Sequence, residues 1–122
     1  MIPVAIDAIA ADHIRSLIQN GVREGRTIEY KQSLPGTSDG DKKEFLADIS
    51  SFANASGGDL IYGVTADNGV PKEIKGLSPF DADKDVLRLD STIRDGVQPR
   101  ILGLRTHAVT GLDEGPVLVV RV

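Results

Sequence analysis

The sequence predicts a mixed α/β domain of the α+β class, with three helices packed on a mixed or largely antiparallel sheet. Three observations predict it. Apolar residues recur at helical spacing in three separate tracts, around Ile14, Ile49 and Leu89. Between and after them lie apolar runs of strand length, such as Leu60-Ile61-Tyr62 and Val117-Leu118-Val119-Val120. Two connections, Asp67-Asn68-Gly69 and Thr110 to Pro116, are short and rich in turn residues, which suits antiparallel neighbours. The predicted order is α-β-α-β-β-α-β-β.

The first helix is expected from Ala8 to Asn20. Ile9, His13, Ile14 and Leu17 form its inward stripe, and Gly21 stands where a left-handed cap is wanted. A charged connection, Arg23 to Arg26, leads to a strand over Thr27 to Lys31. There Ile28 and Tyr30 share one face, and Glu29 and Lys31 the other. Leu34 to Gly40 reads as a loop. Asp41 with Glu44 three residues on can form a capping box for the second helix, whose stripe is Phe45, Ile49, Phe52 and Ala53. Gly57-Gly58 ends that helix, and Asp59 to Val64 is a buried strand. After the Asp67-Asn68-Gly69 turn comes a strand over Val70 to Ile74. Ser78 as N-cap and Pro79 at the first helical position start the third helix, with Val86, Leu89, Ile93 and Val97 inward. Strands over Leu102 to Val109 and Val117 to Val122 close the domain. A chain that stops on an apolar strand reads as one piece of a longer protein.

Composition narrows the function. The 122 residues, 40% hydrophobic and 26% charged, suit one globular domain with a real core. The absence of cysteine excludes disulfides and thiolate metal sites. The N-terminus lacks the basic region of a signal peptide, and no apolar run approaches the ~18 residues of a membrane helix, so a cytoplasmic protein without membrane partners is expected. A net charge of -4 weighs against a protein that simply coats DNA, although a local basic patch would suffice for phosphate contact. Aromatic residues make up 4% of the chain, too few for a platform of stacked bases.

A few residues could carry chemistry. Glu24 and Glu29 flank the start of the first strand, and two carboxylates on one surface could hold Mg²⁺ or Mn²⁺. Their plain reading is two solvated surface acids. Arg23, Arg26 and Lys31 beside them, with Lys42 and Lys43 in the next helix, are candidates for phosphate contact; charge balance is the plain alternative. Asn54, Gly57 and Gly58 form a tight reversal that ends a helix and could also present amides to an anion. The loop Gly36 to Lys43 lacks the Gly-Lys-Ser/Thr ending of a phosphate-binding loop. His13 and His107 have no ligand partners at metal-binding spacing.

Glu29-Tyr30-Lys31, then Phe52-Ala53-Asn54-Ala55-Ser56-Gly57-Gly58, then Leu60-Ile61-Tyr62-Gly63-Val64, then Gly69 and Gly76-Leu77 together resemble one family pattern. It is that of the Schlafen AlbA-type DNA-binding domain. This module stands at the front of many bacterial transcriptional regulators, which often carry a divergent AAA-type, ATP-binding label and a winged-helix region downstream. The resemblance implies a compact α/β domain that contacts DNA or RNA, with the C-terminal part of the same regulator as a further partner. Asn54, Gly57, Gly58 and Gly63 are its motif positions here. In the animal branch a similar domain looks like a metal-dependent endoribonuclease built on three acids. Two of them match Glu24 and Glu29; the third falls on Ala66, which cannot bind a metal, with Asp67 one residue later. The resemblance therefore favours a non-catalytic DNA-binding module. Its rivals are a Mg²⁺- or Mn²⁺-dependent ribonuclease, and an ATP-binding or homo-oligomerising domain that uses Asn54 to Gly58.

Overall fold

The computed structural model describes residues 1–96 and 105–122. In chain order the elements are α1 (Ala11–Gln19), β1 (Ile28–Lys31), α2 (Asp39–Ala53), β2 (Asp59–Tyr62), β3 (Val64–Asp67), β4 (Val70–Ile74), α3 (Ala82–Gly96), β5 (Arg105–Val109) and β6 (Val117–Arg121). A single 3-10 turn, Ile6–Ala8, precedes α1. The main sheet runs β1-β2-β6-β5; β1 and β2 are parallel and the other two pairings antiparallel. Strands β3 and β4 form a separate two-stranded sheet. The α+β architecture with a mixed sheet follows the sequence expectation, including the hairpin β5–β6 and a two-residue turn at Asn68-Gly69, both at positive φ.

Both faces of the main sheet are covered, which is why β2 and most of β6 read as unbroken apolar runs. On one face, Ile61, Val117 and Val119 meet Ile28 and Tyr30 of β1, Val64 and Ile74 of the hairpin, and Ile2, Ile6, Ile9, Ile14 and Leu17 from the N-terminal segment. On the other, Leu60, Tyr62, Leu118 and Val120 meet Phe45, Ile49 and Phe52 of α2 and Leu89 and Ile93 of α3. The N-terminal segment is clamped by one buried ion pair. Asp59, wholly buried, takes Arg121 through both oxygens (Nε to Oδ1 2.8 Å, Nη2 to Oδ2 3.0 Å) and also accepts the Ile2 N–H at 2.8 Å. The same guanidinium donates to the carbonyls of Val4 (2.6 Å) and Ile2 (2.8 Å).

Five local expectations need correction. The expected strand Asp59 to Val64 is two strands, because Gly63 turns the chain out of the main sheet. Its φ of 109° is a region that disfavours side chains, and its carbonyl accepts the N–H groups of Lys75 and Gly76 at 2.8 and 3.0 Å. Helix α1 starts at Ala11, three residues late; Ile9 is extended, and His13 Nδ1 accepts the Ala10 N–H at 2.9 Å. Helix α2 starts earlier than the Asp41–Glu44 box suggests, since Ser38 is the cap and its Oγ accepts the Asp41 N–H at 3.1 Å. Ala53, placed on the α2 stripe, is exposed. Helix α3 begins after Asp81, whose Oδ1 accepts the Lys84 N–H at 3.2 Å while Asp85 Oδ2 accepts the Asp81 N–H at 3.0 Å; Ser78-Pro79 lies ahead of it. Val97 and residues 102–104, assigned to the third helix and the fifth strand, lie outside the described residues.

Candidate functional site

Strand β1 is at the edge of the main sheet, and its alternation decides what faces α2. Ile28 and Tyr30 go into the core; Glu29 and Lys31 point to the other side. Lys31 Nζ lies 3.2 Å from Glu44 Oε1 and 3.3 Å from Asp48 Oδ2. Glu29 borders a hollow of about 230 Å³ that it shares with Glu24, Gly25, Ile28, Asp48, Ser51 and Phe52. Helix α2 therefore runs antiparallel to β1, with Asp48 at the middle of the contact. At the Lys31 end opens a groove of about 480 Å³, walled by Gln32 to Gly36 on one side and Asp41, Glu44, Phe45 and Asp48 on the other, with Tyr62 among its lining residues.

Glu24 and Glu29, singled out from the sequence, do stand on one surface. Glu24 is fixed by the backbone around it: its N–H donates to the Gly69 carbonyl at 2.7 Å, and its Oε2 accepts the Tyr30 N–H at 3.1 Å. Tyr30 in turn donates its hydroxyl proton to the Val22 carbonyl at 2.6 Å. Burial, with the Glu24 charge beside it, pushes the Tyr30 hydroxyl up to about 12.

The acids outnumber the cations at this centre. Burial raises the Glu29 carboxyl above its ordinary value; Asp48, Glu24 and Glu44 add to the rise, and Lys31 opposes it. Burial likewise raises Asp48, with Lys31 opposing and Glu44 and Glu24 assisting. Burial pulls Lys31 down, but Asp48, Glu29 and its hydrogen bonds to Glu44 and Asp48 outweigh that and leave it raised. Glu29, Asp48 and Lys31 therefore each hold their protons more tightly than they would in water.

The expected phosphate-contacting residues divide into two kinds. Arg23 and Arg26, in the approach to β1, and Lys42 and Lys43, on the N-terminal half of α2, are exposed and make no ion pair among the described residues. Because the two elements are antiparallel, these pairs flank the acidic centre from opposite ends. Lys31 is different, since its ammonium is already engaged by Glu44 and Asp48. The motif residues serve the fold. The amides of Asn54, Ala55, Gly57 and Gly58 donate to the carbonyls of Ser50, Phe52, Phe52 and Val122. A Cβ on Gly58 would stand 2.7 Å from the Phe52 ring, and one on Gly57 would stand 2.5 Å from the Val122 carbonyl oxygen. That reversal thus keeps few amides for an anion. The histidines also act structurally: His107 Nε2 donates to the Ile9 carbonyl at 3.0 Å.

The sequence reading missed Asp48, Glu44 and Tyr62. A signal existed for the two acids, which are one helical turn apart beside the apolar stripe, but nothing linear tied them to Lys31. The donor set does not suit the metal that the family's nuclease branch implies. Among the described residues no three His, Asp or Glu side chains are grouped so as to hold one ion, and Ala66 takes the place of the third acid. Glu24, moreover, already accepts a backbone N–H.

A family model described as Schlafen, AlbA_2 matches residues 24–122. The chain belongs to the Schlafen AlbA_2 family. The match begins at Glu24, so the AlbA_2 stretch contains the acidic centre, Arg26, Lys31, Lys42, Lys43 and all six strands. Residues 1–23, with α1 and Arg23, stand outside it. Membership is consistent with a domain of the nucleic-acid-binding type. No curated protein matches the chain. Among the described residues, no helix is long and apolar enough to cross a membrane.

Proposed function

We propose that this AlbA_2 domain is a non-catalytic module that binds nucleic acid, with DNA as its target, in a transcriptional regulator. The observation that carries the reading is the placement of Arg23 and Arg26 at one end of the β1–α2 contact and Lys42 and Lys43 at the other, on an AlbA_2 scaffold. Backbone phosphates need exposed, uncommitted cations, and these four residues qualify. Between them the acid-rich centre repels a polyanion, so phosphates would be held at the two ends while the middle stays clear. A net charge of -4 then limits indiscriminate binding and leaves affinity to the local arrangement.

Fluorescence anisotropy on labelled DNA duplex and structured RNA at low salt tests the proposal. Saturable binding is expected, with Arg23→Gln/Arg26→Gln and Lys42→Gln/Lys43→Gln each weakening it by about tenfold or more. Absence of binding to either polymer would remove the proposal. The same RNA incubated with Mn²⁺ should stay intact; cleavage that Glu29→Ala abolishes would instead establish a nuclease.

A further inference from the structure

We propose that one open edge of the main sheet, strand β5 with helix α3 beside it, is the contact surface of a two-fold dimer whose second member is another copy of this chain. Among the described residues no strand pairs with the outer side of β5, so its backbone donors and acceptors there stand ready for another strand. Val86, Leu87 and Asp90 of α3 and Thr106 and Ala108 of β5 border a mostly apolar hollow of about 460 Å³. Leu87, 61% exposed, is the most exposed large apolar side chain among the described residues, and it forms part of that wall. One surface thus carries both an apolar knob and the hollow that could receive it.

Charge order along α3 favours a second copy. Asp83, Leu87 and Asp90 line the hollow, and Arg94, four residues past Asp90, continues the same stripe. The stripe is acidic at one end and basic at the other. Two copies laid antiparallel set Asp83 of each against Arg94 of the other, with the two Leu87 side chains between them. A contact closed by a half-turn requires such a patch, complementary to itself. Asp83 is exposed and makes no ion pair among the described residues. Arg94, half exposed, meets Asp90 through Nη2 at 3.5 Å and keeps further donors for a second acid. The sheet suits the same axis. The stripe's midpoint falls between Leu87 and Asp90, and Val86 and Asp90 share their hollow with Thr106, near the middle of β5. One half-turn there pairs β5 with its counterpart antiparallel and sets α3 against its own counterpart. Thr106 and Ala108 are short, which leaves room for the incoming leucine. An unrelated peptide strand could also add to β5, but it would need no such order of charge on α3.

The test is sedimentation equilibrium of the purified chain from micromolar to millimolar concentration, where a monomer–dimer equilibrium is expected. Leu87→Glu, at an exposed position, should weaken the dimer by about a hundredfold or more, since both copies lose a buried leucine. Asp83→Arg and Arg94→Asp should each weaken it by at least about tenfold, because like charges then meet on both sides of the axis. Mixed in equal amounts, these two variants should dimerise as tightly as the parent, because the opposite reversals restore both pairs. Asp83 and Arg94 stand about three helical turns apart in one chain, so that rescue cannot arise within a protomer. Thermal melts establish that each variant is folded. A monomer at every concentration, a dimer that Leu87→Glu leaves intact, or a mixture no tighter than either variant alone would overturn the proposal.

Discussion

Glu29 holds its negative charge against both burial and the neighbouring acids. Its proton is bound more tightly in the fold than in the unfolded chain. Its contribution to stability is therefore full below the ordinary carboxyl value of 4.5 and is lost as pH rises through the raised value. At neutral pH the ionised side chain destabilises the fold, so Glu29→Gln should raise the melting temperature there. Below the ordinary value the variant and the parent should converge, as melting curves across the acid range would show. Asp59 is the opposite case: wholly buried, but bound through both oxygens to Arg121. Asp59→Ala would strand that guanidinium and release Ile2, at a loss of ~3 kcal/mol in urea denaturation. At this scale the sequence showed Glu24 and Glu29, because strand alternation alone puts Glu29 on the face opposite Tyr30. Asp48 and Tyr62 were not legible, since their roles exist only once α2 lies across β1 and β2.

Elements were read well where periodicity was strong and poorly where a single residue redirects the chain. Strand β1, the stripe Phe45-Ile49-Phe52 and the Asn68-Gly69 turn follow from pattern alone. The break between β2 and β3 does not, because Leu60 to Val64 is apolar throughout and only the positive φ of Gly63 separates the strands. Gly63→Ala should cost about 2 kcal/mol, since alanine at that φ is strained and its Cβ would lie 3.2 Å from Val117. Chemical denaturation measures it. Helix starts were misplaced by local hydrogen bonds: Ser38 caps α2 ahead of the expected Asp41, and Asp81 caps α3 after the expected Ser78. The N-terminal segment carries a further expectation. It lies outside the AlbA_2 match yet supplies Ile2, Ile6, Ile9, Ile14 and Leu17 to one face of the sheet. Deleting residues 2–20 should expose that face, which enhanced binding of a hydrophobic dye together with the loss of a cooperative melt would report. A deletion variant that melts as sharply as the parent would show the covering to be dispensable.

At the scale of the whole molecule, charge placement matters more than charge total. The chain is net acidic, and four of its acids, Glu24, Glu29, Glu44 and Asp48, meet at the β1–α2 contact, while Arg23, Arg26, Lys42 and Lys43 form no ion pair with them among the described residues. Composition counselled against nucleic acid because it sums over a surface on which only one face would meet the polymer. The family pattern in the sequence pointed the other way, and the fold explains how both can hold. The most direct test is the salt dependence of DNA binding for the parent chain and for the Arg23→Gln/Arg26→Gln/Lys42→Gln/Lys43→Gln variant. If the four cations meet phosphates, the log–log slope for the parent should be about -3 to -4, and the variant's slope should approach zero. Equal slopes for the two proteins, or no binding by the parent at any salt concentration, would contradict the account.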